Sequence, residues 1–221
     1  MKNLLLVGGD GSLGRTISKQ FAKNGMWNIF SIGYNSNLQA IKNILLTKDV
    51  KYDDVFMDNL YNQIGDSKFN CIVNVAGGWE PSSLENKNLI LSSINMYSSS
   101  MYSTILSAHL AKKYLQENSL VIFTGALAIK NLDQNTHNSC LGYQLAKESV
   151  HYFSNVLNNN RMLGNSKLIT ILPSNIVSIE EKVEQNKKGN YNVCAKEEIA
   201  KLINDWAERK IPLPEELFYK L

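Results

Sequence analysis

Apolar residues along the chain fall into two alternating kinds of run. Short, nearly continuous stretches ("NLLLVGG", "WNIFSIG", "CIVNVAGG", "SLVIFTG" and "KLITILP") have the length of strands. Between them lie stretches in which apolar residues recur every three or four positions, the period of a helix with one buried face. Residues Ser12 to Lys23, about Leu38 to Leu46, about Leu89 to Gln116, a helix starting near Tyr143, and "EEIAKLINDWAER" read this way, and "ELFYKL" reads as a closing strand. A strand that is apolar on both faces needs cover on both. Such strands alternating with helices therefore predict an α/β fold, a parallel sheet between two helical layers, with ligands at the carboxyl ends of the strands. The stretch from about Ser174 to Asn192 shows neither period and reads as a long connection able to order over a ligand.

Composition narrows the function classes. The chain has 221 residues, 44% apolar and 19% charged, which suits one domain over 1–221 with its own core. A net charge of +3 argues against a dedicated nucleic-acid binder. No run approaches the roughly 18 apolar residues of a membrane span, and "MKNLLLVGG" meets glycine too soon for a signal peptide. Cys71, Cys140 and Cys194 lack metal-ligand spacing. Reduced thiols, no bound metal and a cytoplasmic setting are the expectation.

The first strand runs into "VGGDGSLGRTI", where Gly9, Gly11 and Gly14 have G-x-G-x-x-G spacing directly before a helix. A dinucleotide pyrophosphate needs a tight turn, close backbone approach and a helix N-terminus, and any Cβ at those points would block it. Gly8 offers a second register, Gly8-x-x-Gly11-x-x-Gly14, so the candidate cofactor-binding residues are Gly8, Gly9, Asp10, Gly11, Ser12, Leu13 and Gly14. The bland alternative is a glycine-rich turn that binds nothing. In this strand-turn-helix setting a doubly wound, Rossmann-type domain holding a dinucleotide is favoured. The ribose-binding acid belongs at the end of the second strand, yet "SIGYNSN" has Gly33 there. Asp10 is the nearest acid and should disfavour a 2′-phosphate, which leans the reading to NADH over NADPH.

Tyr143 and Lys147 in "LGYQLAKESVHYF" are four apart, so on a helix they share a face. A phenol is a poor proton-transfer group at neutral pH, and a fixed ammonium beside it is expected to lower its pKa. The same ammonium can hold a ribose. Alone, this spacing more often marks a solvated helix face.

Together with the glycine turn and Asn74-Val75-Ala76-Gly77, the pair resembles the short-chain dehydrogenase/reductase family over about Lys2 to Trp206. That resemblance implies catalytic roles for Tyr143 and Lys147, and cofactor contacts from Asp58, Ala76, Gly77, Lys147 and Pro173. It also implies Ser178 near the nicotinamide amide and a homodimer formed by the two small-residue-rich helices. Two positions depart from the family: Ala126 stands where a carbonyl-gripping serine is expected, and Ser100 replaces a helical asparagine of the proton relay. Losing such a donor costs about 3 kcal/mol, roughly a hundredfold in rate, for an ordinary ketone. "VAGGWEPSS" and the missing serine are similar to the dihydropteridine-reducing branch of that family. What this implies is NAD(P)H-dependent reduction of an electrophilic quinonoid dihydropterin to tetrahydropterin, with Trp79 and Tyr143 binding the pterin. A reductase for another activated acceptor (a quinone or nitro compound) and a non-catalytic dinucleotide sensor remain the alternatives. His109 reads as a packed or interface residue, His137 as a loop residue, His151 and Cys140 as outside the chemistry, and Lys187-Lys188 as a solvated loop.

Overall fold

The computed structural model describes residues 1–47, 50–130 and 139–221, without the side chain of Lys130. Strands β1 (Lys2–Val7), β2 (Trp27–Gly33), β3 (Lys42–Leu45), β4 (Phe69–Asn74), β5 (Leu115–Thr124) and β6 (Lys167–Leu172) precede a short pair, β7 (Asn175–Val177) and β8 (Val193–Ala195), and a closing β9 (Phe218–Lys220). The main sheet has the order β3-β2-β1-β4-β5-β6-β9, with every neighbouring pair parallel. The helices are α1 (Ser12–Ala22), α2 (Asp54–Ile64), α3 (Leu89–Met96), α4 (Ser103–Tyr114), α5 (Leu127–Lys130), α6 (Leu141–Asn159), α7 (Ile179–Lys187) and α8 (Lys196–Ala207). A π-helical stretch, Tyr97–Tyr102, joins α3 to α4.

The strand period of two sorts side chains into two cores. Leu4 and Leu6 of β1, Cys71 and Val73 of β4, Leu120 and Ile122 of β5, and Ile169 and Ile171 of β6 pack against α1 and α8. Leu5, Val7, Ile72, Val121 and Phe123 face the other way, toward α2 and α4. Each fully buried Leu, Ile or Phe contributes about 2 kcal/mol of transfer free energy. The two-sided burial inferred from continuous apolar runs is therefore what the sheet displays.

Three local expectations are corrected. The helix expected over Leu38–Leu46 is an irregular segment leading into β3. Buried Asn37 holds it open: its side chain donates to Gly9 O at 2.7 Å and to Ser18 Oγ, and accepts from Gln39 N. The helix of this region is α2, which starts at Asp53, whose carboxylate caps Phe56 N, and stops at Gly65 with φ +63°. The supposed long connection after Ser174 contains β7, α7 and β8. α7 opens on a capping box in which Ser178 Oγ accepts from Glu181 N and Glu181 accepts from Ser178 N, and the last turn of that helix takes in Lys187.

Candidate active site

The chain crosses the sheet in opposite directions from β1, to β2 on one side and β4 on the other, so a crevice opens at their carboxyl ends. A cavity of about 230 Å³ lies there, walled by Gly8, Gly11, Val75, Ala76 and Gly77. Gly8 has φ +81°, and a Cβ on it would stand 2.5 Å from Ala76 N. This is the close approach that only glycine permits. Gly11 N donates to Gly8 O at 3.1 Å, closing the turn, and Gly11 then serves as N-cap of α1. The first amides of α1, from Ser12 onward, lack intrahelical partners and form an anion-binding end. The Leu13 side chain is buried in the core, so only its backbone is available to the crevice.

Asp10 answers the question left by the missing acid at position 33. Its Oδ2 accepts from Tyr34 N at 3.1 Å, Asn35 N at 2.9 Å and Asn35 Nδ2 at 3.1 Å. A Cβ on Gly33 would collide with its Oδ1. The carboxylate thus sits at the end of β2, supplied by the β1–α1 turn. Tyr34, Leu46 and Tyr52 continue the wall beyond it. Asp58 is not part of that wall. It lies exposed on α2 and lines a separate groove with Tyr61, Tyr102 and His109, while Leu46, just after β3, lines the crevice.

α6 brings Tyr143 and Lys147 to the other side of Gly77. Lys147 is buried, and its Nζ donates to Thr124 O at 2.9 Å and lies 6.0 Å from the centre of the Tyr143 ring. A Cβ on Gly77 would be 3.3 Å from Lys147 Nζ and 3.4 Å from Ser100 Oγ. The bare glycine therefore leaves a polar hollow beside these two groups. Ser100 Oγ is buried and has no hydrogen-bond partner among the described residues. Burial pushes the Lys147 ammonium down to about 8. It pushes the Tyr143 phenol up to about 12, with Cys140 adding to the rise. The expected lowering of the phenol by the ammonium is thus not found: desolvation dominates, and Lys147 spends a donor on a backbone carbonyl. A phenol held protonated is a donor, which is the direction a reduction needs.

Ala126 is buried, and its N–H donates to His151 Nε2 at 3.1 Å. Pro173 follows β6 at the same edge of the sheet, and its carbonyl accepts from Leu127 N. Trp79 is 61% exposed on the loop after β4, so its ring is free to meet a planar ligand. Ser178 is turned to its capping role, which removes its hydroxyl from the expected amide contact. His109 bonds the hydroxyl of Tyr61. His137 lies outside the described residues. His151, read from the sequence as outside the chemistry, is bonded to Ala126 N, and Thr124, which the sequence reading did not single out, accepts from Lys147 through its carbonyl.

No family model matches the chain. Its sequence is 28% identical over 176 residues to a dihydropteridine reductase of Dictyostelium discoideum, covering 78% of this chain and 73% of that protein. Among solved structures, a short-chain dehydrogenase family protein of Francisella tularensis superposes with a TM-score of 0.76 at 16% identity, covering 100% of this chain and 97% of the other. The alternative dihydrofolate reductase FolM of Brucella canis, solved with NADP, gives 0.73 at 15% identity, covering 100% and 92%. The fold is that of solved short-chain dehydrogenase structures, and the sequence is similar to that of a dihydropteridine reductase.

Proposed function

We propose that the protein is an NAD(P)H-dependent reductase whose substrate is a quinonoid dihydropterin. The single observation that carries this reading is the polar hollow at Gly77, faced by Lys147 Nζ and by Ser100 Oγ, unpartnered among the described residues, while Ala126 leaves the segment after β5 without the hydroxyl that would grip a ketone oxygen. A dihydropterin in its cross-conjugated form accepts hydride without that grip. The glycine turn and the N-terminus of α1 suit a pyrophosphate, and Gly77 leaves room for the ribose. When bound, the dinucleotide supplies the hydride.

The chain's own residues do the rest. Lys147 holds the ribose hydroxyls and presents positive charge beside Tyr143. Tyr143, kept as the neutral phenol by burial, gives a proton to the ring being reduced, directly or through water. Trp79 offers a face for the planar pterin. Asp10 at the end of β2 favours NADH, because a 2′-phosphate would meet its carboxylate. A second copy of the chain covering α3 and α6 completes the reading.

The test is oxidation of NADH and NADPH with chemically generated quinonoid dihydropterin as acceptor. Turnover in the wild type, falling at least about a hundredfold in Tyr143→Phe/Lys147→Ala, is the expected result. Turnover with quinones alone would shift the substrate. Tight cofactor binding with no turnover on any acceptor would make the protein a sensor.

A further inference from the structure

The end of β5 is gripped from α6 at two points one helical turn apart. Lys147 Nζ donates to Thr124 O at 2.9 Å, and His151 Nε2 accepts from Ala126 N at 3.1 Å. The neighbours on either side are fixed as well: Gly125 N donates to Ile171 O and Leu127 N to Pro173 O. His151 is 2% exposed and stacks edge-on against Phe218 of β9, with ring centroids 5.4 Å apart. A Cβ on Gly125 would collide with its Nε2 and stand 2.7 Å from Leu172 Cδ2. The histidine therefore occupies the room that a side chain at 125 would need, and packing leaves its ring no freedom to swing away.

We infer that His151 is a positioning residue for the reduction: by holding Ala126 N–H it fixes α6 in the register that keeps Lys147 Nζ on Thr124 O and directed at the hollow beside Gly77. This rests on the reading of Lys147 given above. The logic is that of two anchors on one rigid helix. Positions 147 and 151 lie on the same face, so losing the lower anchor frees the helix to slide or roll against the strand end. Lys147 Nζ then loses a fixed acceptor, and a displacement of about 1 Å at a reacting group costs about a hundredfold in rate. To accept from an amide, Nε2 must carry no proton, so the ring is the Nδ1–H tautomer. Glu148 Oε2, 3.8 Å from Nδ1 and on the same helix, is the charged group beside that proton.

Two variants test this: His151→Leu, which keeps bulk and loses the acceptor, and His151→Gln, whose Oε1 reaches where Nε2 stands. Amide hydrogen exchange at Ala126 is read first, because it needs no turnover. Protection retained in wild type and His151→Gln but lost in His151→Leu, with the core strands protected in all three, establishes the grip in a folded protein. Turnover is then compared. We expect kcat to fall tenfold to a hundredfold in His151→Leu with KM for the cofactor changed less than threefold, the fall largely rescued in His151→Gln. In His151→Leu the pH at which activity is lost on the alkaline side should also move up, as a loosened Lys147 regains water. Equal exchange at Ala126 in all three, or unchanged kcat in His151→Leu, overturns the inference. A wild type without turnover on any acceptor would instead strike at the functional reading, leaving the exchange result standing by itself.

Discussion

The carboxylate of Asp10 fills the space that a side chain at position 33 would need: a Cβ on Gly33 would run into Asp10 Oδ1, while Oδ2 takes the backbone N–H groups of Tyr34 and Asn35. An acid is thus supplied to the end of the second strand from the first turn, and position 33 is cleared to receive it. Asp10→Asn should lower the ratio of KM for NADPH to KM for NADH by about tenfold, equivalent to 1.4 kcal/mol of lost repulsion. Steady-state kinetics with both cofactors checks this. An unchanged ratio would remove Asp10 from the discrimination.

The same relationship predicts an interaction between two substitutions. Gly33→Asp alone should destabilise the protein by about 1–3 kcal/mol, because two carboxylates and their atoms compete for one space. Combined with Asp10→Gly, the space is vacated and the acid returns to the strand end. Denaturant unfolding of the two single variants and the double should show a coupling of at least about 1 kcal/mol in the compensating direction. Additivity would mean that the two positions do not share the space.

Lys147 sets the pH response. Burial lowers its ammonium from the ordinary lysine value to about 8, and the proposed reduction needs it charged. Activity should therefore be full below pH 8 and fall with a one-proton slope as pH rises through about 8. Tyr143, at about 12, adds no second limb in that range. Stability moves the other way. Between pH 8 and the unfolded value near 10.5 the unfolded chain holds the proton that the folded chain has lost, so folding gains about 3 kcal/mol across that window. Lys147→Met should lose both the activity and that alkaline gain. Lys147→Arg, which cannot deprotonate, should lack the limb at pH 8 whatever its residual rate. A limb at the same pH in Lys147→Arg would assign it elsewhere.

Much of this was open to reading in the chain itself. Continuous apolar runs identified five core strands because burial on both faces leaves no alternation to misread. Gly8 to Gly14 and the Tyr143/Lys147 pair were local patterns whose chemistry depends on spacing alone. What failed depended on partners distant in sequence. Asn37 turns a helical pattern into an extended segment through bonds to Gly9 and Ser18, which no local window contains. The pKa of Tyr143 is set by its burial, which a local window does not reveal, whereas the charge of Lys147 was the visible feature. α2 was a missed local signal: Asp53 and Gly65 bracket it in the ordinary way.

A last prediction concerns the outer face of α3 and α6. Ile90 and Ile94 of α3 and Leu145 of α6 are exposed, and they border an open hollow of about 710 Å³ together with Tyr97 and Leu141. Apolar side chains gathered like this on neighbouring helices mark a contact surface. Covering them with the same face of a second copy gives a self-complementary two-fold pairing. Ile94→Glu with Leu145→Glu would put two carboxylates from each copy into that contact, and burying unpaired charge costs several kcal/mol. Sedimentation at micromolar concentration should show a dimer for the wild type and a monomer for the double variant, with the same far-UV spectrum in both. A monomeric wild type, or a dimer that survives both glutamates, would move the interface off this face.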